Sequence, residues 1–130
     1  MTNEELLCLY YETDGEALLE KLYIENEGLI IDIAKKVAAD FKCLRYKENT
    51  KQCTAYTEQI LEELKGEGTL EFIRLIREHG YDVSKGKFTT YIYPYIQGVM
   101  HRWMERNLDY NTHINTRSAL PFPTMRFLRI

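Results

Sequence analysis

Apolar residues recur along this chain at intervals of three and four, with no sustained apolar-polar alternation, so the pattern predicts helices throughout. A short first helix is expected over residues 3–12, with Thr13-Asp14-Gly15 as its stop, and a second over 16–24. A third carries Leu29, Ile30, Ile33, Ala34, Val37, Ala38 and Phe41, a 3.6-residue stripe that reads as core. Residues 42–53 turn polar and mixed in charge and read as a connecting loop. Thr54 or Thr57 can then cap a helix whose Ile60, Leu64, Gly68, Phe72 and Ile76 fall at intervals of four on one face.

Two glycines interrupt that helix. Each costs about 1 kcal/mol relative to alanine in a helix interior. Gly68 lies on the apolar stripe, where close approach of another helix would explain it, whereas Gly66 lies off the stripe and has no such reason. His79-Gly80 ends the helix, and Tyr81 to Gly86 reads as a turn. The last long helix is expected over 87–107, with Phe88, Tyr91, Ile92, Tyr95, Ile96, Val99, Met100 and Trp103 in register. Pro94 sits inside it and predicts a kink or a break, because an interior proline removes a backbone hydrogen bond at a cost of about 3 kcal/mol or more. The predicted fold is all-α, a compact bundle of about four to five helices over 1–107. A polar, proline-containing tail follows over 108–130, and its closing Met125-Arg126-Phe127-Leu128-Arg129-Ile130 reads as the start of a truncated following region.

Composition narrows the class. A chain of 130 residues that is 45% hydrophobic can bury one core. Its longest apolar runs fall far short of the roughly 20 residues that span a bilayer, and no basic cluster precedes an apolar stretch at the N-terminus, so the cytoplasm is the expected location. Cys8, Cys43 and Cys53 form no Cys-x-x-Cys pair, and His79, His101 and His113 have no ligand spacing to them, so buried or free thiols and no metal or cofactor are expected. The net charge of −3 conceals an asymmetry. Residues 1–32 carry nine acids against Lys21 alone, a net of −8, whereas residues 69–130 carry nine basic and five acidic groups, a net of +4. The C-terminal half is therefore the part suited to phosphate.

Two segments carry a resemblance. The first is Asn26-Glu27-Gly28-Leu29-Ile30-Ile31-Asp32-Ile33-Ala34-Lys35-Lys36. The second runs Glu63-Leu64-Lys65-Gly66-Glu67-Gly68, then Leu70 and Ile73, Tyr81-Asp82, Gly86-Lys87-Phe88-Thr89-Thr90-Tyr91 and Tyr95-Ile96. In order and spacing these are similar to the second conserved region of the sigma-70 family of bacterial RNA polymerase sigma factors, which binds polymerase and melts the promoter minus-ten element. The match covers about two-thirds of the chain. Glu63 and Gly66 stand where the family has an acid-amide pair, Pro94 and Tyr95 where it has two tryptophans, and Gln97 where an arginine is common.

The resemblance implies a sigma-like transcription initiation factor, or a fragment of one, with core RNA polymerase and the single-stranded non-template strand of promoter DNA as partners. Glu63, Glu67, Thr69 and Leu70 would dock on the clamp coiled coil of the largest polymerase subunit. Tyr91 would stack on the flipped minus-eleven adenine, Thr89 and Thr90 would bond base or phosphate, Lys87 would contact phosphate, and Tyr95 would abut the upstream duplex edge. Arg102 and Arg106 extend this basic, aromatic surface along the helix, where stacking and phosphate attraction together can hold unstacked bases. Phe88 and Trp103 fit core periodicity better than contact with DNA.

Nothing after residue 107 matches a region that reads the upstream promoter element, so the chain is expected to be a fragment or to work with a second sigma-like subunit. The alternative reading is a co-sigma or regulatory helical protein that binds polymerase or a partner without independent promoter recognition. A third is a helical interaction protein with no DNA role. No phosphate loop, Ser-His-acid set or metal cluster can be assembled, so an enzyme is not expected.

Overall fold

The structure, a computed structural model, describes residues 2–43 and 54–115, with side chains through 107. Residues 44–53 of the connector predicted over 42–53, Cys53 among them, and the tail from 116 onwards lie outside the described residues. Four α-helices and one short 3-10 turn make up the rest: α1 (Asn3–Thr13), α2 (Glu16–Asp40), α3 (Ala55–Arg77), the 3-10 turn Val83–Lys85, and α4 (Phe88–Asn115). The all-α expectation holds for these residues.

α1 opens on a capping box in which the Thr2 hydroxyl accepts from the Glu5 amide at 3.1 Å and the Glu5 carboxylate accepts from the Thr2 amide at 2.9 Å. It closes at Asp14, left-handed at φ 52°, whose amide donates to the Tyr10 carbonyl. α2 then runs unbroken through the segment expected to separate two helices. The reason is Asn26. It lies on the buried face, its amide exchanging hydrogen bonds with that of Asn3 at 2.9 and 3.1 Å and donating to the Leu22 carbonyl at 2.8 Å. A satisfied buried amide continues the stripe from Leu22 to Ile30.

α3 is capped by Thr54, whose hydroxyl accepts from the Thr57 amide at 3.2 Å; Thr57 itself is buried and donates to the Cys43 carbonyl at 3.1 Å. Its stripe is core as expected, with Leu64, Phe72 and Ile76 fully buried. α3 packs on both α2 and α4, and α1 closes over α2. Gly68 allows this: a Cβ there would stand 3.1 Å from Ile30 Cγ2 on α2 and 3.2 Å from Ile96 Cγ2 on α4. Gly66 is different, with open space where its Cβ would be.

α4 bears on two expectations. Pro94 does not break it, because Thr90, whose carbonyl loses its helical donor, is exposed to water while Ile92 and Ile96 anchor the opposite face. Nor does the helix stop at 107. It continues to Asn115, since no glycine or proline intervenes before Pro121. Phe88 is buried and Trp103 packs half-buried against the core, the roles expected of both. Tyr10 is buried at 3% exposure.

Candidate nucleic-acid and polymerase interfaces

A helix face repeats at steps of three and four residues, so Tyr91, Tyr95, Gly98, Arg102 and Arg106 form one stripe along α4. The Tyr91 and Tyr95 rings lie 5.4 Å apart, tilted at 53°. Tyr95 is 45% exposed and Tyr91 half-buried, and both arginines are exposed. The Arg102 guanidinium folds back over Gly98, near enough that a Cβ there would sit 3.5 Å from Nη1. Aromatic surface at one end and cationic surface at the other thus share one side of the helix.

The turn before α4 supports the aromatic end. Tyr81 is buried, its hydroxyl donates to the Gly86 carbonyl, and its ring meets that of Tyr91 at 5.3 Å. Gly86 takes φ 91°, a conformation that favours glycine. The Lys85 ammonium donates to the Gly80 carbonyl at 2.8 Å and stands 5.5 Å from the Tyr91 ring centroid. Burial, followed by the neighbouring Tyr95 and Glu78, pushes the Tyr91 phenol above its ordinary value, so it carries no negative charge to repel a phosphate near neutral pH.

Lys87 is exposed at the mouth of this turn. Thr89 and Thr90 sit on the neighbouring side of α4, where they line an open depression with Leu29, Tyr93 and Pro94. Of the predicted DNA residues, Lys87, Thr89, Thr90, Tyr91 and Tyr95 therefore gather at the start of α4, divided between two faces with the tyrosines on one and the threonines on the other, while Arg102 and Arg106 lie further along the helix.

Glu63, Glu67 and Leu70 share the outer face of α3, opposite its buried stripe, and Leu70 is 67% exposed. With Gly66 they surround an open depression that Glu62, Lys65 and Thr69 complete. Thr69 also lines a second depression with Leu19, Tyr23 and Ile73, which places it on the α2 edge of the face. Lys65 pairs with Glu27 at 2.8 Å. That hydrogen bond holds the Glu27 carboxyl below its usual range and the Lys65 ammonium above its own.

One turn beyond Leu70, Arg74 bridges Glu71 and Glu78, while Arg77 reaches Glu16 at 3.1 Å instead of Glu78. The charges of Glu78 and Arg74, at the end of α3, act on the Tyr91 phenol, the first raising and the second lowering its pKa.

Sequence reasoning missed Lys85 and Glu4. Lys85 was legible as a cation beside the turn glycine. Glu4, whose carboxylate accepts from the Phe88 amide at 2.9 Å, left no local signal. Among the described residues no three His, Cys, Asp or Glu side chains cluster to hold a metal, and no helix is long and apolar enough to cross a membrane. Compared with protein-family models, curated proteins and solved structures, the chain matches none.

Proposed function

We propose that this chain is a sigma-like transcription initiation factor, or a fragment of one, that docks on core RNA polymerase through the outer face of α3 and captures the non-template strand of the minus-ten element through α4. The observation that carries this reading is the Tyr91, Tyr95, Arg102 and Arg106 stripe. Paired rings offer stacking to unpaired bases, and cations further along the same face offer salt-dependent attraction to the backbone they belong to. Its role is binding rather than catalysis, and it works in the cytoplasm beside polymerase.

Fluorescence anisotropy with a labelled single strand carrying the non-template minus-ten element, with and without core polymerase, tests the reading. Saturable binding that weakens on Tyr91→Ala and Tyr95→Ala supports it. Equal binding by wild type and both variants would sink the strand-capture half, and failure to bind core polymerase at low salt would sink the docking half.

A second reading draws on the packing of Tyr91. Its ring is flanked by Tyr81, Tyr95 and Lys85, which suits a structural residue of a co-sigma or regulatory protein that leaves promoter recognition to a second, sigma-like subunit. Polymerase binding without any effect of Tyr91→Ala on DNA distinguishes this from the first.

A further inference from the structure

Glu63, Gly66, Glu67 and Leu70 stand at positions i, i+3, i+4 and i+7 of α3. That is the arrangement of four residues that receives a side chain from a facing helix in knobs-into-holes packing. Gly66 contributes no side chain to this hole, and nothing among the described residues lies within 4 Å of where its Cβ would be. No packing among the described residues therefore explains a glycine in mid-helix, where it weakens the helix. The exposed Leu70 supplies an apolar wall.

The rim is net acidic, with Glu62, Glu63 and Glu67 against Lys65. Glu63 and Glu67 take part in no ion pair among the described residues, and Lys65, the cation nearest in sequence, is held by Glu27 on α2. We propose that this hole receives a basic helix of the polymerase core, which seats one long apolar side chain over Gly66 against Leu70 and sets cations beside Glu63 and Glu67. The inference rests on the polymerase-docking reading and gives its partner a chemistry. Gly66 then lets the two backbones approach closely in place of the side-chain contact an amide would make.

The test compares purified bacterial core RNA polymerase binding by wild type, Gly66→Ala, Gly66→Leu and Glu67→Arg, with thermal unfolding of each. Filling the hole should weaken binding in steps, slightly for alanine and about tenfold or more for leucine. Tm should stay level or rise, because both residues are better helix formers in open space. Should leucine lower Tm, the alanine variant carries the comparison. Glu67→Arg should weaken binding and steepen with falling salt. Equal or tighter binding by Gly66→Ala and Gly66→Leu overturns the hole while leaving polymerase docking in place. No binding by wild type overturns both.

Discussion

The Glu4 carboxylate of α1 accepts a hydrogen bond at 2.9 Å from the Phe88 amide, the first of α4, across 84 positions of sequence. A first-turn amide has no partner within its own helix, and a carboxylate there both satisfies it and complements the positive end of the helix. α1 thereby caps the helix that carries the candidate strand-capture residues. Glu4→Ala should destabilise the fold by about 1 kcal/mol, a Tm loss of a few degrees, with Glu4→Gln retaining part of the loss as an acceptor. Hydrogen exchange at the start of α4 should quicken in Glu4→Ala. An unchanged Tm would remove the cap from the account.

The two glycines of α3 should respond oppositely to alanine. At Gly66 the added methyl meets open space, so stability should rise by up to about 1 kcal/mol. At Gly68 it would come within 2.5 Å of Met100 Cε, which can swing away. It would also press Ile30 and Ile96 through their Cγ2 atoms, which sit next to the backbone and cannot. Parting α2 and α4 by a few tenths of an ångström should outweigh the propensity gain and cost about 1 kcal/mol net. Chemical denaturation of both variants checks the pair, and a stabilised Gly68→Ala would count against a close three-helix contact.

Along the α4 stripe, stacking and charge should separate by their salt dependence. Tyr91→Ala and Tyr95→Ala should each weaken single-strand binding about five- to a hundredfold, much the same at any salt. Arg102→Ala and Arg106→Ala should instead each flatten the slope of log affinity against log salt by about 0.7. Anisotropy titrations at several salt concentrations distinguish the two groups, and a Tyr95→Ala variant that changed only the salt slope would contradict stacking.

Alkali should unfold this protein through its tyrosines. The phenols of Tyr11, Tyr81 and Tyr91 are all pushed above their ordinary value of 10.0, chiefly by burial. A raised folded pKa means the unfolded chain loses its proton first. The stability these groups contribute is complete below about pH 10 and declines as pH rises through their folded values. Tm measured from pH 8 to 11.5 should therefore fall at the upper end, less steeply in Tyr91→Phe. A wild-type profile flat across that range would contradict the burial of these hydroxyls.

Much of the fold was legible because its signals are local. The Ile60, Leu64, Gly68, Phe72 and Ile76 face repeats every four residues, and Thr54 precedes α3 where a cap belongs. The break expected before Leu29 was wrong because a polar residue on the core face reads as a loop until its partner is known, and that partner, Asn3, lies on another helix. Of the kink or break expected at Pro94, the break is absent for a related reason. The proline's missing bond is tolerable on a solvated face anchored by Ile92 and Ile96, a condition set by packing.

The sequence by itself determined that the fold is helical and which faces are apolar, since both follow from periods of three and four positions. It also placed Tyr91, Tyr95, Arg102 and Arg106 along one helix and Glu63, Glu67, Thr69 and Leu70 along another, because helical periodicity is a property of each segment alone. Only the tertiary structure decided that Glu4 caps α4 and that Lys85 and Tyr81 brace Tyr91. Those contacts join distant positions through side chains, and no periodicity along the chain records how one helix is laid against another.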